Sequence, residues 1–141
     1  MDTLKLSFNV DSSDFTRAGE SSSKVKKTLS QLGFDPALIR KTAIAMYEGE
    51  INMVIHANGG VIEVEIEPGK VTAQLKDNGP GIPDIDKAMQ EGFSTATNKV
   101  RELGFGAGMG LPNMKKYSDE MSIDTVIGEG TTVRMIFFAQ T

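Results

Sequence analysis

Apolar and polar positions alternate over residues 3–10, with Leu4, Leu6, Phe8 and Val10 on one side and Lys5, Ser7 and Asn9 on the other. Period two describes a strand with one buried face. The same period recurs over 61–67 and 70–77 across Pro68-Gly69, and over 121–127 and 131–138 across Gly128-Glu129-Gly130, so each pair predicts a hairpin. In the first hairpin Ile62, Val64 and Ile66 face inward with Val71, Ala73 and Leu75, while Glu63, Glu65 and Glu67 face water.

The period lengthens to that of a helix from about Ser13, where Phe15, Ala18, Ser22, Val25, Leu29 and Leu32 form a stripe that Gly33 ends. Asp35-Pro36 begins a second helix, with Asp as N-cap and Pro in the first turn. It runs to about Ala57, stops at Asn58-Gly59-Gly60, and is apolar nearly all round, which predicts a helix packed between layers. Glu48, Asn52 and His56 interrupt it at i, i+4 and i+8, forming one polar line that rises about 6 Å per step, whereas Glu50 points elsewhere.

Beyond residue 83 the pattern is less regular. A short helix is expected near 84–91, a mobile segment over 92–98, then a glycine run and a helix to about Asp119. The order β-α-α-β-β-α-lid-α-β-β predicts a two-layer α/β sandwich, with a mixed, mostly antiparallel sheet and helices on one face.

With 141 residues the chain suits one domain with a sizeable core, and 39 % hydrophobic with 24 % charged residues is the composition of a folded soluble protein. A net charge of -4 without a basic run argues against nucleic-acid binding. The absence of cysteine excludes disulfides and thiolate metal sites, and a single histidine makes a zinc site a poor fit. No apolar stretch approaches a membrane helix and Met1-Asp2-Thr3 lacks a signal pattern, so a cytoplasmic protein is expected.

Nine of the 15 glycines lie between 79 and 130, eight of them in clusters at Gly79/Gly81, Gly104–Gly110 and Gly128/Gly130. The run Gly104-Phe-Gly-Ala-Gly-Met-Gly can turn successive N–H groups toward one point, and a helix starting near Met109 or Gly110 would aim its positive end there. That is an anion site suited to phosphate. The alternatives are a hinge for this cluster and ordinary turns for the other two. No G-x-x-x-x-G-K-[ST] is present and the period-two run contains no G-x-G-x-x-G, so P-loop and Rossmann readings are poor.

Glu48-x-x-x-Asn52-x-x-x-His56, Asp77-Asn78-Gly79-Pro80-Gly81-Ile82, Gly104–Leu111 and Gly128-x-Gly130-Thr131-Thr132 together resemble the Bergerat-fold (GHKL) ATPases, the superfamily of gyrase B, histidine kinases and MutL. The boxes stand in the family's order and cover roughly residues 40–135. The resemblance implies that Asn52 holds Mg²⁺, that Glu48 is the general base, and that Asp77 accepts the amino group of adenine, with Gly81 leaving room for the ring and Thr131 its partner. Gly79 and Ile82 belong to the same nucleotide loop. Gly106, Gly108, Met109, Gly110 and Leu111 would carry the phosphates of ATP, and 83–107 would be a lid over a domain spanning 1–141. His56 reads as a packed core histidine, and Lys99 and Arg101 as solvated lid charges.

Within that superfamily the lone histidine inside the asparagine helix does not suit a complete sensor kinase. The run Gly108–Lys116 with Ser118-Asp119-Glu120-Met121 is most similar to the stand-alone anti-sigma factors and stressosome switch kinases. This implies a serine/threonine protein kinase acting on a regulatory partner of anti-anti-sigma type, with a sigma factor and a homodimer as further options. One departure is Gly49, directly after the base, where a helix interior favours Ala by about 1 kcal/mol; a loosened Glu48 is the expectation. The alternatives are a nucleotide-dependent switch without phosphotransfer and a domain whose glycines are only turns.

Overall fold

The computed structural model describes residues 3–11, 18–56, 59–82, 85, 89 and 110–139, with only the backbone of His56. The strands are β1 (Leu4–Val10), β2 (Gly60–Glu67), β3 (Lys70–Asp77), β4 (Glu120–Val126) and β5 (Gly130–Phe138); the helices are α1 (Glu20–Gln31), α2 (Pro36–His56) and α3 (Gly110–Tyr117). The five strands form one sheet in the order β1-β2-β3-β5-β4. All four ladders are antiparallel, so the mixed sheet expected from sequence is corrected: no parallel pair occurs among the described strands.

Register explains why the period-two runs matter. Leu6, Val64, Ala73, Met135 and Met121 stand side by side across the sheet, as do Phe8, Ile62, Leu75, Val133 and Ile123. These rows make the inner face, and α2 packs on it between α1 and α3. Leu38, Ala45 and Met46 of α2 are fully buried with Val25 and Leu29 of α1, which accounts for a helix that is apolar nearly all round.

The caps fix where the helices start. Asp35 takes the N–H groups of Ala37 and Leu38 on its two carboxylate oxygens at 3.0 and 3.2 Å, the expected N-cap. α1 begins at Glu20 rather than near Ser13, since Ala18 and Gly19 form a turn with Gly19 at φ +99°. Gly19 offers no side-chain cap, and the buried carboxylate of Glu50 on α2 accepts instead from Ser21 N and Ser22 N, each at 3.3 Å. Glu50 therefore points away from Glu48, as expected, and joins the two helices. Ser22, Val25 and Leu29 of the expected stripe are buried, but Leu32 lies beyond the last turn and is exposed.

The second hairpin begins one residue earlier in each strand than its apolar run suggested, at Glu120 and Gly130. At the far end of the sheet, Lys41 Nζ and Phe138 N both donate to Asp119 Oδ2 at 2.7 Å, tying α2 to the strand ends. Of the expected helix near 84–91 only Ile85 and Met89 are described, joined by a Met89 N–H to Ile85 O bond of 2.9 Å. The segment 92–98 and the rest of the lid lie outside the described residues.

Candidate functional site

Strand β3 runs straight into the loop 77–82, and that loop is laid against the turn end of the β4–β5 hairpin. Thr131 N donates to Asp77 Oδ1 at 3.0 Å, Gly128 N to Pro80 O at 2.9 Å, and Ile82 N to Thr125 Oγ1 at 2.8 Å. The Thr125 and Thr131 hydroxyls are hydrogen-bonded at 2.9 Å, either being able to donate. The glycines here serve this contact. Gly81, at φ +85°, sits where a Cβ would come within 2.9 Å of Val126 O and Ile127 Cα, and Gly130, at φ +144°, lies directly on the Asp77 carbonyl. A side chain at either position would push the two loops apart.

Between this clasp and α2 lies a cleft of about 450 Å³ including its open mouth. Met53, Leu75, Met114 and Val133 give it apolar walls, and Asn52, Asp77 and Thr131 contribute polar groups. Asp77 Oδ1 is occupied by the N–H groups of Gly79 and Thr131, at 2.9 and 3.0 Å, while Oδ2 has no hydrogen bond among the described residues. Apolar walls beside a carboxylate oxygen that has no hydrogen bond among the described residues suit a heterocycle that carries an amino group.

Of the residues expected from sequence, Asn52, Asp77, Gly81, Ile82 and Thr131 line this one cleft. Gly79 is buried in the loop, where its N–H serves Asp77. Gly81 lines the cleft, yet the direction its missing side chain would take is toward the hairpin, so the glycine answers to packing first. Gly110 opens α3 beside Asn52, 3.8 Å separating Asn52 Oδ1 from the position of a Cβ there. Leu111 is buried in the core, so only its backbone can take part. Gly106, Gly108, Met109, Lys99, Arg101 and the His56 side chain lie outside the described residues.

Glu48 stands one turn before Asn52 on α2, half-buried, and its Oε1 accepts from Asn113 Nδ2 of α3 at 3.2 Å. Burial pushes its carboxyl above the ordinary value, and the bond from Asn113 opposes part of that rise. Gly49 has a packing reason to be here. It is buried where a Cβ would meet Leu75 Cδ2 and, at 2.9 Å, Met114 Cε, so it lets α2 lie close to β3 and α3.

Sequence reasoning missed Thr125 and Asn113. Thr125 shares the inward parity of Met121 and Ile123, and a hydroxyl at an inward position was a readable signal. Asn113 lies three residues after Gly110, on the same helical face, but its partner is 65 positions away.

An antiparallel sheet covered on one face by helices, with its cleft at the β3 end, is a two-layer α/β sandwich. Residues 12–137 match the family described as the histidine kinase-like ATPase domain, and the chain belongs to that family. It is 37 % identical over 110 residues to the serine/threonine-protein kinase RsbT of Bacillus subtilis, covering 75 % of this chain and 77 % of that one. It is 38 % identical over 100 residues to the anti-sigma F factor of a Thermoanaerobacter strain, covering 67 % of this chain and 65 % of the relative. The crystal structure of the RsbU and RsbW domains of a Mycobacterium tuberculosis protein has the same fold, with a TM-score of 0.66 at 19 % identity over 96 % of this chain and 32 % of that one. Among the described residues no helix is long and apolar enough to cross a membrane.

Proposed function

We propose that the chain is an ATP-dependent serine/threonine protein kinase that phosphorylates a regulatory protein of anti-anti-sigma type. The observation that carries this reading is the placement on one helix of a half-buried carboxylate, Glu48, and a neutral amide, Asn52, the latter lining a cleft that also holds Asp77. Asp77 Oδ2 would accept from the amino group of adenine, with Thr131 beside it and Gly81 and Ile82 at the ring. Backbone N–H groups of Gly110 and Leu111 at the start of α3, following Gly106, Gly108 and Met109, would face the phosphates. Asn52 fits Mg²⁺: one uncharged oxygen suits an ion that keeps several waters and takes its other ligands from phosphates. When bound, the ion neutralises phosphate charge. Glu48 would take the proton of the partner's hydroxyl as that oxygen bonds to the γ-phosphorus and ADP departs.

The alternative is a switch that binds its partner according to nucleotide state without phosphotransfer; the names of the anti-sigma F factor relatives support a sigma factor among the partners. Glu48→Gln separates the two. A variant that binds ATP but no longer phosphorylates its partner supports the kinase; unchanged regulation of the partner by that variant supports the switch. We further propose one cytoplasmic ATP-binding unit over residues 1–141, with a lid at about 83–107 and a homodimer as its assembly.

A further inference from the structure

We infer that Asn113 is the positioning residue for Glu48, and that through it the aim of the base depends on the seating of α3, the helix that starts at the phosphate loop. The inference rests on the kinase reading above. Asn113 Nδ2 donates to Glu48 Oε1 at 3.2 Å, and among the described residues this is the carboxylate's one hydrogen bond. A carboxylate only accepts, so the nitrogen edge of the amide must face it, which leaves Glu48 Oε2 for a substrate hydroxyl.

The seating of α3 is fixed by three contacts. Leu111 and Met114 are buried in the core, at 7 % and 1 % exposure. Met114 closes over Gly49, and Gly110 lies beside the Asn52 amide. Gly110 and Asn113 are three residues apart and share a helical face, so one rigid turn touches both the metal-ligand position and the base. If α3 shifts on α2, Asn113 leaves Glu48 as Gly110 leaves Asn52. In the transfer step the hydroxyl proton goes to Glu48 Oε2, the hydroxyl oxygen bonds to the γ-phosphorus, and the bond from phosphorus to the ADP oxygen breaks. Asn113 neither gains nor loses a proton; it holds the carboxylate in the geometry on which a step of this kind depends steeply.

The test is phosphate release from Mg-ATP by the full chain, with water as acceptor, in wild type, Asn113→Ala, Asn113→Asp, Glu48→Gln and the Asn113→Ala/Glu48→Gln double variant. Asn113→Asp keeps the side chain's shape, exchanges the donor for an acceptor and sets a second carboxylate against Glu48, so it tests the bond and its charge without a packing change. The expected result is a drop in kcat of roughly tenfold for Asn113→Ala and more for Asn113→Asp, with KM for ATP unchanged. In the Glu48→Gln background the Asn113→Ala change should then cost nothing further. An unchanged kcat in both Asn113 variants, a rise in KM alone, or a full additional loss in the double variant overturns the inference while leaving Glu48 as the base. A Glu48→Gln variant as active as wild type removes the base itself, and the inference falls with it.

Discussion

Thr131 N and Asp77 Oδ1 meet at 3.0 Å across 54 positions of sequence, and the bond sets which edge of the carboxylate faces the cleft. With Gly79 N on the same oxygen at 2.9 Å, Oδ1 is filled by backbone donors, and Oδ2 has no hydrogen bond among the described residues.

Asp77→Asn should therefore fold normally and bind ATP poorly. The amide oxygen can still accept from Gly79 and Thr131, but an NH₂ group then stands where Oδ2 was, donor facing donor. The expected loss is at least about tenfold in ATP affinity. GTP, whose ring presents an acceptor at that point, should gain relative to ATP. Calorimetric titration with both nucleotides, beside a thermal melt, checks each part.

Gly49→Ala sets two effects against each other. Helix propensity favours alanine by about 1 kcal/mol. The added methyl group would run into Leu75 and Met114, which are 2 % and 1 % exposed, and overpacking a core costs about 1–3 kcal/mol. Packing should win, giving net destabilisation of about 1 kcal/mol in urea unfolding. Because Leu75 and Met114 line the cleft, ATP affinity should fall with it.

Thr125→Val keeps the side chain's shape and removes the acceptor for Ile82 N and the partner of the Thr131 hydroxyl. Leaving that N–H unpaired should destabilise by about 1–2 kcal/mol. The loss should be local, appearing as faster hydrogen exchange of the Ile82 amide with little change at β1 and β2.

Two carboxyl groups should leave opposite marks on the pH dependence of stability. Burial raises the folded-state pKa of Glu48, so its contribution is full below the unfolded value and is lost as pH rises through the folded one. Glu48→Gln should then be more stable than wild type at neutral pH and equal to it in acid. Burial also acts upward on Asp119, but the bonds from Lys41 and Phe138 N and the Lys41 charge outweigh it and hold this carboxyl below its ordinary value. Its contribution is present above the unfolded value and lost as pH falls through the folded one, so Asp119→Asn should be less stable than wild type at neutral pH and match it once both are acidified. Urea unfolding of both variants across pH 3–8 separates the two.

What could be read from sequence was what local period and local caps control. The inward rows of the sheet follow from period two, and the Asp35-Pro36 start of α2 follows from a cap two and three residues from its donors. Asn52 and the 77–82 loop, singled out because their residue types are unusual in their places, do line one cleft. Relations across the fold were not legible. Glu50 caps α1 from 28 and 29 positions away, which is why the start of α1 was misplaced. Gly49 looked like a weak point because propensity is a local quantity, whereas Leu75 and Met114 come to it from other elements. Asn113 was in view within the glycine-helix box, but nothing within one turn of it names Glu48 as its partner.

Since β3 pairs directly with β5, Ile82 at the cleft and Gly110 beside Asn52 are two fixed points of the frame. Both anchor points belong to the sheet-and-helix frame, so residues 83–109 are joined to it as a closed excursion. Doubling the length of such an excursion costs only about 0.6 kcal/mol in closure entropy. Length is thus cheap between these two anchors: an insertion after residue 91 should leave the melting temperature nearly unchanged, whereas replacing Met89, which packs against the core, should lower it.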